Sequence, residues 1–181
     1  MSKSPLLHIY VDGSSGRTGE DLATSDTPAG WGFCVIEGDS GLGRGGGEVV
    51  DERSGPVVTD PSQPDYLGAE VGSNNTAELT AIAHAARWVL SHTEGDSVII
   101  RGDSQYALKI ASGEWRAKAN QDLAKSVKAL WQEADSIRGL MAKHVRAHRG
   151  HRWNERADHL AFRAMQGETP LPLQFWKPGK R

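Results

Sequence analysis

The order in which strand-like and helix-like runs follow one another constrains this chain more than any single motif. Leu6, Leu7, Ile9, Tyr10 and Val11 form a short, densely apolar run that closes on Asp12-Gly13, as expected of a strand covered on both faces. After a polar, glycine-rich loop from Ser14 to Ala29, a second strand is predicted at Gly30–Glu37. The glycine- and proline-rich stretch Gly38–Gly72 follows, with strand-like pieces at Gly47–Arg53 and roughly Asp65–Val71. A wholly structureless loop of that length is uncommon, so part of it should pair. From Ser73 the period changes: Leu79, Ile82, Ala83, Ala86, Val89 and Leu90 recur at helical spacing behind the capping candidates Ser73-Asn74-Asn75. A buried strand over Ser97–Gly102 ends at Asp103, and helices over Ser104–Ser112 and from Asn120 come next. Then come a strand over Leu140–Ala147 and a last helix from about Asn154 to Gln166. The order is β-β-β-α-β-α-α-β-α. Three strands in succession favour an antiparallel meander, and strands separated by helices favour parallel additions by right-handed crossovers. The expectation is an α/β fold with a mixed five-stranded sheet, three-stranded antiparallel meander plus two parallel strands, flanked by helices.

At 181 residues the chain is long enough for one domain with a proper core. A net charge of −2 excludes a global basic field, so any nucleic-acid partner must meet a local patch. The single cysteine, Cys34, sits in the apolar run Trp31–Ile36; it rules out an internal disulfide and a cysteine-rich zinc site. No signal peptide and no run of membrane-spanning length is visible, which makes a cytoplasmic protein the default expectation; a monomer is the default oligomeric state.

The chemistry lies in the acids. Asp12-Gly13 alone reads as the start of a turn, and Glu78 alone as a helix-dipole residue. Taken together they read differently. Ligand sites in open α/β sheets form beyond the carboxyl ends of neighbouring strands, and Asp12 and Asp103 close the first and fourth strands. If those strands are adjacent and parallel, the two acids stand side by side; Glu78 and Asp158, each about one turn into a helix, could point at the same spot. Four converging carboxylates repel one another, and Mg²⁺ or Mn²⁺ with oxygen ligands resolves the conflict. Two such ions, ~3.5–4 Å apart, form a device for in-line phosphodiester hydrolysis.

These motifs carry a resemblance. Asp12-Gly13-Ser14, Asn74-Asn75-Thr76-Ala77-Glu78-Leu79, Asp103-Ser104-Gln105-Tyr106 and His148-Arg149-Gly150-His151 with Asn154-Glu155-Arg156-Ala157-Asp158 occur in the order and spacing of the type 1 ribonuclease H family. The chain resembles that family from Leu6 to Met165, apart from the Gly38–Gly72 region. The resemblance implies a ribonuclease H domain over 1–167 with a glycine-rich insertion at about 38–72, followed by a proline-containing tail, 168–181. It implies an endonuclease that cuts the RNA strand of RNA/DNA hybrids to 5′-phosphate and 3′-hydroxyl products, using two Mg²⁺ ions with Mn²⁺ as substitute. Asp12, Glu78, Asp103 and Asp158 match the family's metal-binding acids. His148 matches a loop histidine that assists proton movement or product release. Ser14, Ser15, Ser73, Asn74, Asn75 and Gln105 match substrate-facing positions, and small polar side chains suit the 2′-hydroxyls of an A-like minor groove. Trp115 matches a residue packing along deoxyribose, and Asn120 one gripping a DNA-strand phosphate, although Asn120 also suits a helix cap.

Other signals point less sharply. His144, His148 and His151 cluster, and the spacing of His144 with His148 is seen in some zinc sites, but no cysteine pair accompanies them. Lys143, Arg146, Arg149, Arg152 and Arg156 suggest a phosphate-facing rim, and Arg17 a further phosphate contact. The basic helix that many family members carry after the tryptophan is missing. Only four residues separate Trp115 from Asn120, so affinity would have to come from the insertion or from Lys177, Lys180 and Arg181. Two other classes compete: a DNA-acting nuclease or resolvase on the same fold, and a non-catalytic hybrid-binding module.

Overall fold

The computed structural model describes residues 6–16, 22–146 and 151–181. Arg17, Ala147, His148 and Arg149 therefore lie outside the described residues. Five strands form one sheet: β1 (Leu7–Ser15), β2 (Ala29–Glu37), β3 (Glu48–Pro56), β4 (Val98–Gly102) and β5 (Leu140–His144). Their spatial order is β3-β2-β1-β4-β5. The β1/β2 and β2/β3 pairs are antiparallel, and the β1/β4 and β4/β5 pairs parallel. The predicted meander with two parallel additions is thus the observed sheet. Helices α1 (Asn74–Ser91), α2 (Gln105–Ser112), α3 (Gln121–Arg138) and α4 (Arg152–Gln166) flank it.

Alternation along β1 explains how both faces are used. Leu7, Ile9 and Val11 join Phe33, Val35, Val98 and Ile100 in a core shared with α1, α2 and α3. Tyr10 points the other way, with Cys34 and Ile36, into a second core closed by Trp153, Ala157 and Leu160 of α4. Cys34 is fully buried there, and its thiol donates to the Trp153 carbonyl oxygen at 3.4 Å. Glycines permit the close approach of α4 to β2. A Cβ on Gly30 would stand 2.4 Å from the Ala161 carbonyl oxygen, and one on Gly32 2.7 Å from the Leu160 Cβ.

Three expectations need correction. Asp65–Val71 forms no strand; Leu67 and Ala69 pack instead against the core under the helices, and Gly68, with φ of 116°, breaks the extended run. The last strand stops at His144 because its parallel partner β4 ends at Gly102, and a final bond runs from Val145 N–H to the Gly102 carbonyl. The last helix starts two residues before Asn154, at Arg152, which lets Trp153 enter the core. The glycine-rich stretch before β3 is used structurally: the Trp153 indole donates to the Gly46 carbonyl at 2.8 Å. Among the described residues no helix is long and apolar enough to cross a membrane.

Candidate active site

Register brings the first two acids together. The parallel β1/β4 ladder ends with Val11 opposite Gly102, so Asp12 and Asp103 are the next residue on each strand. Asp12 remains inside the sheet, because β1 continues to Ser15 against β2 and places Asp12 opposite Gly32. Glu78 arrives from α1. That helix is fixed at its start by a reciprocal cap: Thr76 N–H donates to the Ser73 hydroxyl at 3.1 Å, and Ser73 N–H to the Thr76 hydroxyl at 2.9 Å. Glu78 is the fifth residue of α1, and no acid lies in the helix's first turn. The dipole explanation for this glutamate is correspondingly weak, since the effect fades beyond that turn. Gly13 makes the approach of α1 feasible, for a Cβ there would lie 2.4 Å from the Glu78 backbone nitrogen.

Carboxylate oxygens of Asp12, Glu78 and Asp103 all lie within 4.8 Å of one another. Asp12 is 3% exposed and Glu78 8%. Burial, followed by the charges of Glu78, Asp103 and Asp158, pushes the Asp12 carboxyl well above the usual carboxylate range. Burial and then Asp103 do the same to Glu78. Two buried acids that disfavour their own ionisation, with Asp103 beside them, are a donor set suited to a hard divalent cation, which would restore the charged forms.

Asp158 stands apart from this group. Both its oxygens accept hydrogen bonds from Arg181, one from Nε and one from Nη2, each at 3.0 Å. It is the seventh residue of α4 rather than one turn in. It is still close enough to raise the Asp12 pKa.

The chain matches the RNase H family model over residues 5–166. It belongs to the RNase H family. It is accordingly an RNase H enzyme, in a family that depends on divalent metal. Among its relatives is the Ribonuclease H of Thermosynechococcus vestitus, 28% identical over 179 residues that cover 94% of each chain. The crystal structure of RNase H1 from the archaeon Halobacterium salinarum superposes with a TM-score of 0.61 at 25% identity, covering 89% of this chain and 98% of that one. LC11-RNase H1, solved in complex with an RNA/DNA hybrid, shares the fold with a TM-score of 0.60 at 21% identity, covering 89% and 97%.

The residues expected to face substrate are spread over several elements of this RNase H fold. Asn75 and Trp115 line one open cleft of about 790 Å³, together with Tyr106, Arg116 and Lys118. Trp115 is half exposed, and the Lys109 ammonium lies 5.9 Å from its ring centroid. Gln105 borders a smaller cleft with Lys109 and His144. Asn74 and Gln105 are exposed. Ser73 is buried and its hydroxyl belongs to the cap, while the Ser15 hydroxyl donates to the Gly72 carbonyl at 2.7 Å. Ser14 is buried. Asn120 precedes α3 in the left-handed region, with φ of 54° and no side-chain cap bond, so the capping role does not hold.

Two basic residues sit elsewhere than expected. Arg156 is no part of a phosphate-facing rim: it is 2% exposed, clamped by Glu52 at 2.6 and 2.9 Å, and donates to the Leu171 carbonyl. Arg181 faces Asp158. Lys143, Arg146 and Arg152 are exposed. The only signal for Arg156 was its place one turn before the inward Leu160, which is too common to single it out.

Proposed function

We propose that the enzyme hydrolyses the RNA strand of RNA/DNA hybrids, leaving 5′-phosphate and 3′-hydroxyl ends, with two divalent cations, Mg²⁺ or Mn²⁺. The observation that carries the reading is the convergence of Asp12, Glu78 and Asp103 within 4.8 Å at the end of a parallel strand pair. Asp12, Glu78, Asp103 and Asp158 would hold the ions, with Asp12 central. When bound, the ions supply charge stabilisation at the scissile phosphate and a more acidic attacking water. The protein's own part is positional. Gly13 keeps α1 against β1 so that Glu78 stays beside Asp12. Asn74, Asn75 and Gln105 at the helix starts offer donors and acceptors to 2′-hydroxyls, which DNA lacks. Trp115 offers a flat apolar face to a sugar, with Arg116 and Lys118 beside it for phosphates. We assign His148 the relay of a proton or the release of product, and Asn120 a phosphate contact. Residues 1–167 form the catalytic domain in this reading. The hybrid captured on LC11-RNase H1 supports the choice of substrate.

The deciding experiment offers end-labelled RNA/DNA, RNA/RNA and DNA/DNA duplexes with Mg²⁺, Mn²⁺ or EDTA. Cleavage of RNA in the hybrid, dependent on metal and abolished by Asp12→Asn, is expected. Cleavage confined to DNA/DNA would overturn the substrate assignment in favour of a resolvase-like enzyme, and activity in EDTA would overturn the metal assignment.

A further inference from the structure

Arg181 is held in place by a tail that folds back over α4. Trp176 is 4% exposed, and its indole donates to the Lys180 carbonyl at 2.8 Å. His159 Nδ1 meets the same carbonyl at 3.2 Å, while its Nε2 accepts from Leu171 N–H at 3.0 Å. The residue next to Arg181 is thus pinned from two sides. The guanidinium itself lies 4.7 Å over the Phe162 ring and forks onto both oxygens of Asp158. Planar, two-point pairing of this kind is the strong form of a charge-assisted hydrogen bond. Arg181 also lies within electrostatic reach of Asp12, so it adds its positive charge to the same acidic site.

We propose that Arg181 is a tethered counter-cation that occupies Asp158 in the metal-free enzyme and has to be displaced before Asp158 can take a divalent ion. This rests on the metal-site reading above. A hard cation and a guanidinium fork demand the same carboxylate lone pairs. The two also repel at short range, so they cannot share Asp158 without cost. Anchoring by Trp176 and His159 means that Arg181 searches little space and returns readily, which raises its effective concentration at the acid. The Arg181 fork closes on Asp158 itself, so the tail acts chiefly on the position nearest Asp158. Its effect is to raise the divalent concentration at which Asp158 becomes engaged. Arg181 is then not a substitute for the missing basic handle; it addresses an acid of the site.

Calorimetric titration of Mn²⁺ into the metal-free full chain, without nucleic acid, tests this. Four proteins are compared: the unaltered chain, Arg181→Ala, Asp158→Asn and the double variant, with Arg181→Gln as a second removal of the charge. Arg181→Ala and Arg181→Gln should tighten the component of Mn²⁺ binding that depends on Asp158 by about fivefold, the scale of a half-exposed ion pair released. In the Asp158→Asn background the Arg181 change should have a much smaller effect, because only its longer-range field at Asp12 is then removed. Equal or weaker Mn²⁺ binding in both Arg181 variants overturns the proposal while leaving the carboxylate site standing. Absence of Mn²⁺ binding in every protein, the unaltered chain included, overturns the metal-site reading itself.

Discussion

Asp12 is buried beside Glu78 and Asp103, and every proton it takes up relieves repulsion. Its folded pKa stands above the unfolded value of about 3.9, so between those two values the folded form binds more protons than the unfolded one. The site's contribution to stability is therefore complete at acid pH and is lost as pH rises through the folded pKa. Asp12→Asn removes one of the repelling charges. In EDTA the variant should be more stable than the parent by about 1–2 kcal/mol at pH 8 and nearly equal to it at pH 4, read as urea midpoints. A parent that gains stability with rising pH relative to Asp12→Asn would contradict this account of the site. Gly13 works at the same scale, since its missing Cβ is what lets a second buried acid come so near the first.

Between elements, a two-bond polar tie joins the edge strand β3 to α4. Glu52 on β3 grips Arg156 on α4 through two bonds, and Arg156 also donates to Leu171 in the tail. Arg156 is almost completely enclosed, whereas the Glu52 side chain keeps some solvent contact, 22%. Breaking such a pair costs more than the pair contributes, because a buried charge is left without its partner. Glu52→Ala should therefore destabilise the protein by about 3 kcal/mol, at the low end for buried pairs because Glu52 is partly wet. The double variant Glu52→Ala with Arg156→Met should recover much of that loss. Denaturant unfolding of the three proteins checks both figures, and a double variant no better than Glu52→Ala would show that Arg156 matters through packing rather than charge. The β3 edge and the tail meet on this one guanidinium, which couples the glycine-rich half of the chain to the helix that carries Asp158.

Across the whole molecule, the sheet could be read from the sequence because β1, β2 and β4 are apolar runs bounded by turn residues or a helical period, whereas the polar β3 was legible only as a strand-like piece of a stretch too long to be structureless. The meeting of Asp12 with Asp103 could be read because the fourth strand ends at Gly102, one residue before its acid. Other features were hidden for physical reasons. Leu67, Ala69 and Val71 alternate as in a strand, but alternation reports only an extended chain with one buried side, and here Leu67 and Ala69 pack against the core without a strand partner. The Arg156–Glu52 and Arg181–Asp158 pairs join residues 104 and 23 positions apart, and nothing local to either arginine marks its acid. The tail's apolar residues pointed to packing on the body, and Trp176 does so, but its path over α4 depends on His159, which no periodicity singles out. Cys34 carries a last consequence. The chain's only thiol lies wholly sealed between β2 and α4, and burial raises its pKa well above the usual range. A maleimide or disulfide reagent should ignore the folded enzyme and label it only when α4 lifts from the sheet. Labelling rates followed with and without Mg²⁺ would clock how often the helix bearing Asp158 detaches, with one-to-one stoichiometry and no engineered cysteine. Rapid labelling under native conditions would mean that this face opens far more easily than its packing implies.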